Sequence, residues 1–188
     1  MKNIYEECPI LENDWFLLRK IEEKDVKELV KVYGDKNALP FFNSDNCHGD
    51  NFYMPTEEIM KKAIEFWNWE YDRRGFVRFS IIDKKINEAI GTIELFNRKS
   101  EDYFNNCGLL RLDLRSDYER EDIIFNILSF ITKRVYELFD CNMVATKARN
   151  YAIERIAALN KAGYVKSEEK LVGTDGTQYG DYYATINV

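Results

Sequence analysis

Residues Gly108 to Phe130 carry the arrangement with the clearest chemical consequence in this chain. They read GLLRLDLRSDYEREDIIFNILSF: an alternating apolar run, a short polar junction, then apolar residues at helical spacing. A strand feeding a helix N-terminus makes an anion site, because free backbone N–H groups and the positive end of the dipole point outward. This junction has no glycine to let a phosphate approach, and it carries Asp117, Glu119, Glu121 and Asp122. A carboxylate about 4 Å from a phosphate charge costs about 4 kcal/mol at an effective dielectric of about 20. That is roughly a thousandfold in affinity. Ser116 and Glu119 also stand in the Ser-x-x-Glu spacing of a capping box, which predicts that the chain satisfies its own first free amides. The alternative is a reshaped loop that still admits a phosphate, with Arg115 and Arg120 supplying compensating charge.

Other reactive residue types are scattered. Cys47 and His48 are neighbours, but a nucleophile–base pair must face each other in space, which adjacency opposes. Asp45, Asn46 and Asp50 hint at calcium, yet no bidentate acid closes the loop. Cys8, Cys47, Cys107 and Cys141 have no CxxC spacing, which argues against a zinc site or a disulfide framework. A net charge of −6 and the lack of a basic stripe argue against a nucleic-acid surface. The N-terminal MKNIYEECPILENDW has acids where a signal peptide is apolar, and no run has the length of a membrane span. The expectation is a cytoplasmic protein with no membrane partner. With 45% hydrophobic residues the chain can build a core, and 188 residues suit one domain spanning 1–188.

The elements that must position these residues follow from periodicity. Strands are predicted over 15–21, 76–83, 88–96, 109–114, 143–146, 164–172 and 179–188. Helices are predicted over 22–33, from Thr56 as N-cap to Gly75, over 123–139, and from Asn150 as cap to 161, closed by Gly163. The second helix is predicted to turn Ile59, Ala63, Phe66 and Trp67 inward. Its aromatic series Phe66, Trp67, Trp69 and Tyr71 spans more than one face, which leaves a ring exposed and allows a homodimer. The fold class is α/β, a mixed sheet of about seven strands flanked by about four helices.

That order of elements resembles the GNAT acyl-CoA N-acyltransferase superfamily, most nearly the branch acting on protein N-termini and small amines. The residues carrying the likeness are LLRKIEEKDVKEL near the start, IIDKKINEAIGTIEL at the hairpin and NKAGYV near the end. It covers Trp15 to Val188. The family's pyrophosphate loop, Gln/Arg-x-x-Gly-x-Gly/Ala, falls on Glu119 to Ile124, and Glu119, Asp122 and Ile124 all depart from it. The later Asn-x-x-Ser pattern falls on Ala152 and Arg155, and the tyrosine that often serves as general acid falls on Leu159.

The resemblance implies acetyl-CoA as co-substrate. Its pantetheine arm would pair with the backbone from Leu110 through Leu112 to Leu114. Its phosphates would lie near Arg115, Arg120, Glu121, Asp122 and Ile123. It implies direct attack of an amine on the thioester, with Glu94 or Asp113 as general base and Tyr151 or Tyr164 as acid. Phe41, Phe42, Phe52 and Tyr53 would line the pocket for a small-molecule or peptide amine. The leading expectation is therefore an acetyl-CoA-dependent N-acetyltransferase. The alternative is a catalytically inactive domain of the same fold that binds another small molecule or a protein.

Overall fold

The computed structural model describes residues 3–187, and the predicted order of elements closes there into one mixed sheet. Its strands are β1 (Leu11–Glu12), β2 (Phe16–Lys20), β3 (Val77–Asp83), β4 (Glu88–Arg98), β5 (Cys107–Leu114), β6 (Met143–Lys147), β7 (Val165–Lys166) and β10 (Tyr182–Ile186). They lie in the order β1-β2-β3-β4-β5-β6-β10-β7, while β8 (Leu171–Val172) and β9 (Gln178–Tyr179) form a separate ribbon. Among the described residues only β5 and β6 pair in parallel. A parallel pair needs a crossover, and α3 (Glu121–Phe139) supplies it. The other helices are α1 (Val26–Tyr33), α2 (Glu57–Asp72) and α4 (Ile153–Lys161).

Strand alternation divides β5 between two layers. Leu110, Leu112 and Leu114 pack with Ile124, Ile127, Leu128, Ile131 and Val135 of α3. Gly108 lets α3 approach closely, since a Cβ there would stand 2.3 Å from Val135 Cγ1. Arg111 and Asp113 face the other way, toward α1, α2 and the loop before α2. In that layer Leu29, Val32 and Tyr33 of α1 meet Met60, Ile64 and Trp67 of α2, with Phe42, Phe52 and Met54 from the connecting loop.

Several boundaries differ from the sequence expectation for local reasons. The helix expected from Glu22 begins at Val26 after a short turn over Glu23–Asp25. Asp25 is buried there and accepts from Arg19 at 2.9 Å and from Ser80 at 2.6 Å. Thr56 does cap α2, accepting from the Ile59 N–H at 3.3 Å. Ile59 and Phe66, however, are 44% and 50% exposed, and the buried stripe is Met60, Ile64 and Trp67. Phe66 stacks on the equally exposed Trp69 at 5.9 Å. Asn150 does not cap α4, because a turn through Tyr151 and Ala152 comes first and the helix opens at Ile153. Asp181, with φ of 63°, separates β9 from β10 where one strand was expected. The Val188 end of that strand lies outside the described residues.

The ribbon is tied to the sheet by Asp102, in the connection between β4 and β5. Asp102 accepts from Arg98 Nη2 at 2.7 Å and from the Val172 N–H at 2.9 Å. Burial works to raise its pKa, but Arg98, the Val172 amide and Ser100 outweigh that and hold it at about 2. This is below the unfolded value of about 3.9, so its stabilisation is present above about pH 4 and is lost as pH falls toward 2. In an acid titration the Val172 amide is expected to lose exchange protection before the amides of β4 do. Simultaneous loss would contradict this role.

Candidate functional site

Beyond Leu110 and Thr146 the parallel strands β5 and β6 no longer pair, although β5 runs on to Leu114. One side chain fills the opening. Arg155, in the first turn of α4 and 3% exposed, donates from Nη1 to the Leu112 carbonyl at 2.8 Å and to the Phe41 carbonyl at 3.3 Å. Its Nε and Nη2 grip the two oxygens of Glu119 at 2.7 and 2.8 Å. Burial alone would lower the Arg155 pKa, but the adjoining Glu119 carboxylate outweighs it and raises it. A bidentate pair of this kind fixes both partners in place.

The capping box expected of Ser116 and Glu119 does not form. Ser116–Tyr118 make a separate short turn, α3 begins at Glu121, and no side chain caps it from Arg120. An N-cap is worth about 1 kcal/mol, whereas a buried guanidinium left unpaired costs about 3–5 kcal/mol. Glu119 accordingly turns inward to Arg155. The first amide of α3, Glu121 N–H, goes instead to Glu154 of α4 at 2.8 Å. The connection between α1 and α2 is drawn over the same opening. Tyr151 donates to the Pro40 carbonyl at 2.6 Å, its ring meets Phe41 edge-on at 6.0 Å, and the Ser116 N–H donates to Asp35 at 3.0 Å.

The opposite face of the sheet carries a buried charged row. Arg78 on β3 is fully buried and binds Glu94 on β4 and Asp113 on β5, the latter at 3.1 Å. Glu94 also pairs with Arg111 on β5 at 3.2 Å. Tyr33 donates to Asp113 at 2.8 Å and meets Thr92 at 2.7 Å. Burial raises the Asp113 pKa against the opposing effect of Arg78. The row continues to Asp45, whose carbonyl accepts from Arg111 at 2.8 Å and whose carboxylate binds Lys147 on β6.

This architecture has solved counterparts. An acetyltransferase of the GNAT family from Bacillus anthracis superposes with a TM-score of 0.68 at 14% identity, covering 95% of this chain and 98% of its own. Ribosomal-protein-S5-alanine acetyltransferase from Vibrio fischeri gives 0.67 at 17%, covering 95% and 97%. Mycobacterium smegmatis RimJ in complex with CoA-disulfide gives 0.69 at 15%, covering 95% and 86%. The chain has the GNAT fold. No family model matches its sequence, and no curated protein matches it either.

Within the GNAT fold the sequence-derived site residues do not converge on one open pocket. Glu94 is 2% exposed between two guanidiniums, and Asp113 is bound by Arg78 and Tyr33. Tyr164 is buried behind α3, where its hydroxyl meets Thr132 at 2.7 Å, while Tyr151 is half-exposed at the cleft mouth. Phe42 and Phe52 pack on Tyr33 in the core, Phe41 turns to Tyr151, and Tyr53 meets Lys36. Arg115 is taken by Asp117 and Arg120 by Asp122. Arg120, Asp122 and Ile123 do line a cleft of about 930 Å³, together with Trp15, Lys84 and Ile86. That cleft lies on the hairpin side of α3, and no residue of β6 or α4 lines it.

Coenzyme A, seen as its disulfide with the M. smegmatis counterpart, would meet groups in this chain that are already paired. The Leu112 carbonyl lies on the backbone segment where a pantetheine arm would pair, and it already accepts from Arg155. The first amide of α3 is already bound to Glu154, and the first turn of that helix carries the acids Glu121 and Asp122. Periodicity missed Arg78, Arg111, Asp45, Lys147 and Tyr182. Alternation did hold the signal for two of them, since Arg78 and Arg111 interrupt the inward faces of VRFSIID and GLLRLDL.

Proposed function

We propose that this chain is a GNAT-fold binding domain that takes a ligand other than acetyl-CoA. The observation that carries this reading is the buried Arg155–Glu119 pair seated on the Leu112 carbonyl, in the gap between β5 and β6. For a pantetheine arm to pair there, Arg155 must leave. Glu119 would then stay behind as an uncompensated buried carboxylate beside an incoming polyanion. Both steps oppose binding, the first by several kcal/mol and the second by Coulomb repulsion.

A second reading, acetyl transfer from acetyl-CoA to a small-molecule or peptide amine, is favoured by the gap itself. The parallel pairing still stops at Leu110 and Thr146, which leaves backbone on β5 unpaired by β6. RimJ of M. smegmatis is seen with a CoA-disulfide and the V. fischeri relative is named an S5-alanine acetyltransferase, so the fold accommodates that chemistry elsewhere. In this chain Glu94 and Asp113 would have to give up guanidinium partners to accept an amine proton. The two readings part in a thiol-release assay with acetyl-CoA and a panel of primary amines and N-terminal peptides. Release at the rate of the protein-free control is expected, and amine-dependent release would overturn the binding reading.

A further inference from the structure

Asp45 is held as a bound carboxylate ligand would be. Its two oxygens accept from Lys147 Nζ at 2.7 Å each, and one accepts from the Tyr182 hydroxyl at 3.0 Å. Asn43 Nδ2 reaches the same hydroxyl at 3.4 Å. The Lys147 side chain is 4% exposed and Tyr182 2%, so the sheet offers a built, desolvated cation and donor on β6 and β10. The carboxylate comes from the loop between α1 and α2. An ammonium this deep needs an anion, but nothing in the chemistry requires that the anion belong to the same chain.

Two further features mark this anion as exchangeable. The loop that delivers Asp45 holds Asn46, His48 and Phe52 in the left-handed region, at φ of 62°, 52° and 61°. Asn and His enter that region readily, whereas an aromatic residue such as Phe52 costs about 1 kcal/mol or more there, so the closed loop carries local strain at Phe52. Beside Asp45 and Lys147 a pocket of about 440 Å³ opens, lined also by Cys47, His48, Arg149, Gln178 and Tyr179. That is the size of a small-molecule site. Arg149 is half-buried on its wall and makes no ion pair among the described residues. Of the nearby acids, Asp175 is exposed and bound to the Thr177 N–H of its own turn. Asp181 is half-buried and acts on Lys147 only through the field.

We infer that this nest is a binding site for a small dicarboxylic acid. One ligand carboxylate replaces that of Asp45 on Lys147 and Tyr182, and the second lies against Arg149 in the adjoining pocket. Asp45 is the resident occupant, which keeps Lys147 paired until a ligand arrives. The site uses Lys147 and Tyr182 rather than Arg155 and Glu119, and the connection between α1 and α2 borders both. Its test contains no coenzyme A, so its outcome and that of the cleft reading are separate.

The probe is sodium succinate, titrated by calorimetry and thermal shift, with sodium chloride at matched ionic strength as control. Asp45→Ala removes the competing carboxylate, and it is expected to bind succinate at least roughly tenfold more tightly than the unmodified chain. It should also regain in succinate the melting temperature it loses in chloride. Asp45→Ala combined with Lys147→Met should lose the succinate response. Should Asp45→Ala fold only in succinate, that too supports the site, and Asp45→Asn then supplies the affinity. In the unmodified chain, tens of millimolar succinate should raise hydrogen exchange at residues 45–50, where the loop is displaced. Variants that bind succinate no more tightly than the unmodified chain would overturn the inference. An unaltered response in the Lys147→Met combination, or loop exchange indifferent to succinate, would do so equally.

Discussion

Arg155→Ala is expected to destabilise the protein by about 3–5 kcal/mol, because it strands the Glu119 carboxylate in a site closed to water. Global stabilities of domains are about 5–15 kcal/mol, so this one change removes a large share of the margin. Glu119→Ala should cost a similar amount by stranding Arg155, with the Leu112 and Phe41 carbonyls as its remaining partners. The combination Arg155→Met with Glu119→Leu removes both charges and keeps most of the buried volume. It should be far less damaging than the sum of the single changes, since a buried pair replaced by apolar residues is often close to neutral. Urea unfolding of the four proteins at neutral pH checks this. Additive losses would mean the two residues act independently, and the view of a matched plug in the β5–β6 gap would fail.

Arg78→Met should be comparably severe. Arg78 compensates two buried carboxylates at once and stacks against Trp67 at 4.1 Å. After its loss Glu94 keeps Arg111, so Asp113 becomes the uncompensated charge, with only the Tyr33 hydroxyl as donor. A cost of about 3–5 kcal/mol is expected near neutral pH. The variant should also acquire a pH dependence. Burial already raises the Asp113 pKa and Arg78 works against that rise, so removing the cation raises it further. The folded state then holds a proton that the unfolded state has released, and stability falls as pH rises above the unfolded carboxylate value of about 4. Adding Asp113→Asn should recover part of the loss and abolish this dependence. If Arg78→Met is equally destabilised at pH 5 and pH 8, Asp113 is not the charge left uncompensated.

Much of the fold was legible in the sequence because it rests on local periodicity. The apolar stripe of α3, the alternation of β3 to β5 and the left-handed Gly163 at 84° after α4 are all patterns within one segment. The phase of α2 was not legible. Ile59 and Phe66 are as apolar as Met60 and Ile64, and only packing against α1 and β3 decides which stripe is buried. The departures of Glu119 and Arg155 from the two GNAT motifs were also visible separately. That they compensate each other was not, because 36 positions divide them and pairing across that distance depends on how α3 and α4 close over the sheet. The clue lay in their signs: an acid stands at a position of the first motif and a base at a position of the second. The same limit hid Lys147 and Asp45, which are 102 positions apart. Asp45 read as one acid among several in a polar loop, and its partner as an ordinary strand-end lysine.

Calorimetric titration of the unmodified protein with acetyl-CoA tests the central claim most directly. With Arg155 on the Leu112 carbonyl, the first α3 amide taken by Glu154 and acids at the helix mouth, no binding is expected up to millimolar cofactor. Micromolar binding would contradict the account, since it would require the Arg155–Glu119 pair to yield the gap between β5 and β6 at little cost.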